Sequence, residues 1–307
     1  MFDNGGITRI KALFDDLDGN EELIGAFKGN AGLVEAWDIL DNAGTVLAKN
    51  PDALQKIHFL KDRGLTEFQL EAIGSIDDIR AIEIAENIAK RNTPSVSPAV
   101  LSELDVIVEF AKEVELKFND LDVMDDLKNL TFDPNYKNPN DLKDWLKGAK
   151  GNDSPTFRLE LDEAMFGLSD GETISLGKIN QYNNELDVVG ESGQWLKECK
   201  MINSSNSNKF KDRLKAIGEK FNDNAKLNLG DRDFYRFNGG LKGVLKIDNP
   251  SNPVYTETFA QVKARIVNII DNQDSAPHII QGLKYTKEIT VIAGPNRFHF
   301  VNGIHYQ

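Results

Sequence analysis

Cysteine is all but missing from this sequence: Cys199 stands alone among 307 residues. A single thiol excludes an intrachain disulfide framework and suits a reducing compartment, or a passenger that needs no oxidation. Histidine is scarce too, four in all, and no Cys/His spacing of a zinc site occurs. G-x-S-x-G and Walker-type glycine loops are absent, which removes the commonest serine-hydrolase and P-loop readings. No run of eighteen apolar residues exists, so no transmembrane helix is expected. The opening MFDNGGITRIKALFDDLDG lacks the charged-then-apolar order of a secretory signal peptide. Basic charge is short overall, 36 Lys+Arg against 49 Asp+Glu, a net −13 that at first argues against nucleic acid as a partner.

That shortage is uneven. Residues 1–150 hold 17 basic and 29 acidic side chains, whereas residues 151–307 hold 19 and 20. Within the second half, Lys197 to Lys246 carries 12 basic and 6 acidic residues. Charge asymmetry of this kind points to different duties for the two halves.

Length predicts two or three units. Residues 1–92 read as an acidic string of short helices, with apolar spacing at Ile10-Leu13-Phe14-Leu17, Leu33-Val34-Trp37-Leu40 and Leu54-Ile57-Leu60. Asn50-Pro51 marks a helix start and Gly64-Leu65-Thr66 a stop followed by a new cap. Asn92 to Pro98 is a linker by composition, and residues 93–153 add an amphipathic helix over Leu101 to Leu121 and a polar region over Asp126 to Lys150. Leu142, Trp145 and Leu146 mark a short helix that docks on something. Residues 154–307 form the third unit. A helix over Phe157 to Leu168 leads to an extended Ile174 to Ile179, a hairpin, and a helix over Lys209 to Lys226. Helices over Thr258 to Ile270 and Ile279 to Tyr285 and a strand over Glu288 to Ile292 follow. The expected class is an α-helical N-terminal region joined to a mixed-sheet α/β domain.

The hairpin, NELDVVGESGQWLKECKMI over Asn184 to Ile202, organises that last unit. If Val189 pairs with Gln194, strand alternation sets Glu185, Asp187, Glu198 and Lys200 on one face, with Asp187 and Glu198 diagonal. The other face carries Leu186, Val188, Trp195, Cys199 and Met201, interrupted by Lys197, whose stem is expected to lie along the sheet with its ammonium in water. Two convergent carboxylates suit a hard divalent ion.

Asp187, ten residues, then Glu198-Cys199-Lys200 resembles the D…(D/E)-x-K core of the PD-(D/E)xK, restriction-endonuclease-like nuclease superfamily, with Leu186 where that family usually has proline. The resemblance spans Ser154 onward. It implies a restriction-endonuclease-like fold, Mg²⁺ (or Mn²⁺) held by Asp187 and Glu198, Lys200 as catalytic cation, and Glu163 or Glu160 as a first-helix glutamate adding to the site; Glu185 is a local competitor. Lys209, Lys211, Arg213 and Lys215 are then expected to track a nucleic-acid backbone. The LFDDLDGN, LVEAWDIL and GLTEFQLEAIGSI segments are similar to those upstream of toxin domains in bacterial polymorphic toxins. This second resemblance implies a toxin nuclease secreted or injected into the cytoplasm of competitor cells; the fold handles both DNA and RNA, and DNA is the expected substrate. It also implies a cognate immunity protein in the producer.

Two alternatives stay open. One is a metal-independent ribonuclease using His299 and His305. An Asn302-Gly303 turn places those two on opposite hairpin faces, which favours structural roles. The other is a non-enzymatic delivery or adaptor protein. His58 and His278 have no visible partner, and Asn238 to Gly243 reads as a loop rather than a phosphate cradle.

Overall fold

The computed structural model describes residues 24–27, 30, 32–92, 97–117, 121–137, 142–148, 154–179, 185–192, 194–221, 240–271 and 277–301. The chain divides into two compact units, Met1–Phe132 and Asp133–Gln307. No helix among the described residues is long and apolar enough to cross a membrane.

The first unit is helical. It runs through α1 (Gly32–Asn42), α2 (Pro51–Asp62), α3 (Glu67–Gly74), α4 (Ile79–Arg91), α5 (Pro98–Lys117) and α6 (Leu121–Phe132). The helix starts are set by side chains that satisfy orphan amides. Asn50 accepts from the amides of Asp52 and Ala53, with Pro51 in the first turn. Thr66 and Gln69 close a capping box. Trp37, Leu40, Leu54, Ile57 and Leu60 are buried together as the apolar stripes predict. The helix Ile10 to Leu17 lies outside the described residues. Asp126 to Phe132, expected to be irregular, continues α6 and packs on α4. There the Asn87 amide donates to the Lys128 carbonyl and the Thr131 hydroxyl, and Lys128 pairs with Glu83 at 3.0 Å. The units therefore part at 132/133, which differs from the expected boundaries at 92 and 153.

The second unit is α/β. Its elements are α7 (Leu142–Gly148), α8 (Ser154–Ser169), β1 (Ile174–Ile179), β2 (Glu185–Gly190), β3 (Trp195–Ile202), α9 (Asn208–Lys220), β4 (Gly240–Ile247), α10 (Phe259–Asp271), α11 (Pro277–Tyr285), β5 (Thr286–Ala293) and β6 (Asn296–Val301). The six strands form one sheet in sequence order. β1, β2 and β3 are antiparallel, β3, β4 and β5 are parallel, and β6 returns antiparallel to β5. One strand escapes the sequence pattern. Gly240 to Ile247, of which the first residues read as loop, is a central strand paired with β3 along its whole length. β6, the arm that leads to the expected Asn302-Gly303 turn, follows β5 through a tight turn with Ala293 opposite Asn296.

Alternation sorts the sheet into two faces. Val189, Leu196, Leu241, Leu245, Ile289, Val291 and Phe300 point to the face covered by α9, whose Phe210, Leu214 and Ile217 complete that core. The other face carries Val188, Lys197 and Cys199 toward α8. The short helix α7 docks within this unit: Trp145 stacks on Phe157 at 3.7 Å, and its indole N–H donates to Glu160 Oε2 at 2.7 Å. Residues 135–137 clip onto the edge of β1, the Ile174 amide donating to the Asn135 carbonyl and the Lys137 amide to the Ile174 carbonyl.

The hairpin register follows from one aromatic–glycine contact. Gly190 pairs with Trp195, and the indole occupies the space a Gly190 Cβ would take. Gln194 completes the turn at φ 50°. Gly190→Ala forces the indole out and is expected to cost about 1–3 kcal/mol, read by urea denaturation; an unchanged midpoint would remove this contact as the register device.

Candidate active site

β2 and β3 pair only over Gly190–Trp195, Val189–Leu196 and Val188–Lys197. Past that point the strands fork. A side chain takes over from the ladder: the Cys199 amide donates to Asp187 Oδ2 at 2.8 Å. Continuing the register places Asp187 directly opposite Glu198, rather than diagonal to it. The observed pairing of Val189 with Leu196, instead of Gln194, is a slip of two residues. An even slip preserves the faces, so Asp187, Glu198 and Lys200 still converge. Lys200 Nζ donates to Glu198 Oε1 and lies 4.0 Å from Asp187 Oδ2.

A fourth group completes the cluster. Lys220, the last residue of α9, places its ammonium 3.3 Å from Asp187 Oδ1 and 2.6 Å from Glu198 Oε2. The helix comes close enough because Gly243, beside Glu198 in register, has no side chain; a Cβ there would stand 3.0 Å from Ile217. In the sequence Lys220 is one of the basic residues between Lys197 and Lys246 with nothing to single it out. Only the fold shows that it reaches two buried acids.

Burial and charge act against each other here. Burial works to raise the Asp187 carboxyl, but the Lys220 and Lys200 ammoniums and the Cys199 amide prevail and hold it below the ordinary carboxylate range. Glu198 is pushed upward by burial and then by the Asp187 charge, which the two lysines only partly offset. Burial lowers the affinity of both lysines for protons, yet the two carboxylates outweigh it and raise Lys200 and Lys220. Glu198 Oε2 is buried against the Lys220 ammonium at 2.6 Å. Two convergent carboxylates are the donor chemistry a single hard divalent ion takes when water and phosphate fill its other positions. Among the described residues no group of three or more His, Cys, Asp or Glu side chains gathers to hold a metal.

Glu163 is not part of this cluster. It is buried on the α8 side of the sheet, where Lys197 Nζ meets Oε2 at 2.8 Å and Arg297 meets Oε1 at 2.7 Å. Lys197 is correspondingly buried rather than snorkelling to water, with its ammonium 4.7 Å from the Trp195 ring centroid. Adjacent strand residues point oppositely, so Glu163 and Glu198 lie on different faces. Glu160 is engaged by Trp145. The Glu185 side chain lies outside the described residues.

The five basic residues of α9 divide. Around the helix axis Lys209, Arg213 and Lys220 fall within about 40° of one another, while Lys211 and Lys215 are on the far side. Lys209 and Arg213 are exposed, and Lys209 also pairs with Asp212 at 3.2 Å. His299 sits on the sheet face opposite Asp187, its Nδ1 3.0 Å from Glu288 Oε1; His305, the Asn302-Gly303 turn and the His278 side chain lie outside the described residues. His58 sits on α2, its Nε2 3.7 Å from Asp62 Oδ2. Gly240 to Gly243, as part of β4, is no phosphate-binding loop.

Against protein-family models, curated proteins and solved structures, the chain has no match.

Proposed function

We propose that the Asp133–Gln307 unit is a metal-dependent nuclease domain of restriction-endonuclease-like fold that hydrolyses phosphodiester bonds, DNA being the preferred substrate. One observation carries the reading: Asp187, Glu198 and Lys200, picked out by the D…(D/E)-x-K spacing, converge at the fork between two strands. The order α8–β1–β2–β3–α9–β4, with β1–β3 antiparallel and β4 parallel to β3, supports the same reading.

Asp187 and Glu198 would hold Mg²⁺ or Mn²⁺. When bound, the ion supplies positive charge for a phosphoryl oxygen and acidifies water at neutral pH. Lys200 does the remaining work: its ammonium orients the attacking water and offsets charge on the phosphoryl oxygens as the water oxygen bonds to phosphorus. The attacking water gives up a proton to solvent, the bond from phosphorus to the leaving sugar oxygen breaks, and that oxygen takes up a proton from solvent water. Arg213 and Lys209 hold neighbouring phosphates without reading bases.

The similarity of the N-terminal segments to polymorphic toxins supports delivery into competitor cells and a cognate immunity protein that covers the basic side of α9. The purified protein is expected to degrade plasmid DNA with Mg²⁺ and to stop on addition of EDTA. Cleavage undiminished in EDTA, or none of DNA and RNA with either Mg²⁺ or Mn²⁺, removes this reading. Expression without a protecting partner is expected to be toxic and rescued by Asp187→Ala, whereas an adaptor would be tolerated.

A further inference from the structure

We infer that Lys220 is a built-in occupant of the cation position between Asp187 and Glu198, which a divalent ion must displace. The inference rests on the metal-dependent reading and assigns this site its regulation. Two buried carboxylates side by side are costly when ionised, and a site that held only them would fold poorly without metal. Here two lysines balance two acids. Their tethers differ. Lys200 belongs to the same strand as Glu198 and makes a hydrogen bond to its Oε1. Lys220 comes from a separate element and bridges the two acids, donating to Asp187 Oδ1 at 3.3 Å and standing 2.6 Å from Glu198 Oε2. A position between two carboxylates is one that a compact cation can take.

Position favours exchange. Lys220 is the last residue of α9, so its side chain can withdraw without opening a turn of helix. It withdraws toward the stripe it shares with Arg213, seven residues and about 10 Å away along the axis. Phosphates of a bound strand are to be met on that stripe. One lysine thus serves twice: it neutralises the acids before metal arrives, then joins the phosphate contacts once the ion has taken its place.

The test is Mn²⁺ binding by isothermal titration calorimetry, with thermal melting alongside, on wild type, Lys220→Met and Lys220→Gln. The glutamine variant keeps a donor for Glu198 should the methionine variant fold poorly. Removing a competing charge from contact distance is expected to tighten Mn²⁺ binding at least about 10-fold in both variants. The melting temperature should also rise more on Mn²⁺ addition than in wild type. Affinity equal to or weaker than wild type in the variants overturns the displacement while leaving the metal site intact. Absence of Mn²⁺ uptake in all three proteins overturns the metal site and the displacement together.

Discussion

Lys200→Ala is expected to lower DNA cleavage at saturating Mg²⁺ by about 10²–10⁴-fold, the range for removing one positioned charge or proton-handling group from a transition state. The fold should survive the change. Lys200 retains a partly exposed side chain, and Lys220 still faces both acids after its removal. Asp187→Ala should be equally inactive for a different reason, because it takes away half of the proposed metal-binding donors and the acceptor for the Cys199 amide. The two variants separate under Mn²⁺ titration. Lys200→Ala is expected to bind the ion at least as well as wild type, having lost a positive neighbour, while Asp187→Ala binds it poorly. A Lys200→Ala protein that cuts DNA at the wild-type rate removes Lys200 from the chemistry.

The other large effect falls on stability. Glu163 is only 1% exposed and sits between two cations. Glu163→Ala leaves Lys197 buried without a carboxylate and is expected to cost about 3–5 kcal/mol in urea denaturation at pH 7. Contact of Lys197 with Trp195, and of Arg297 with the Phe166 ring at 4.9 Å, retains part of the interaction. The double change Glu163→Met with Lys197→Met should recover much of the loss, since apolar side chains of similar volume replace a buried ion pair well. Cleavage per folded molecule should stay near wild type. A variant with full stability and lost cleavage would instead return Glu163 to the reaction.

The face that gathers the three charged groups was legible because its logic has a period of two. A wrong partner for Val189 shifted the register by an even number, and Asp187, Glu198 and Lys200 stayed together regardless. Glu163 was misplaced because spacing along a helix says nothing about which sheet face that helix will cover. A signal did exist: Lys197 interrupts an otherwise apolar strand face, and a charge there asks for a buried partner on whatever packs against it. Lys220 was hidden for another reason. Twenty-two residues separate it from Glu198, and its placement depends on how closely α9 lies on the sheet. That closeness is set by Gly243, which on paper resembled a loop residue. β4 was lost to the same glycines, although a parallel central strand tolerates one where a helix presses on it.

Helix α7 and residues 135–137 bear on where a self-sufficient α/β fragment can begin. Trimming to Ser154, the start the motif alone suggests, removes the bridge to β1 and bares the amide and carbonyl of Ile174 at the sheet edge, where another strand can pair. It also empties the hollow at Gly177 that Trp145 fills. An autonomous piece should therefore start at or before Asp133, carrying its own edge protection with it.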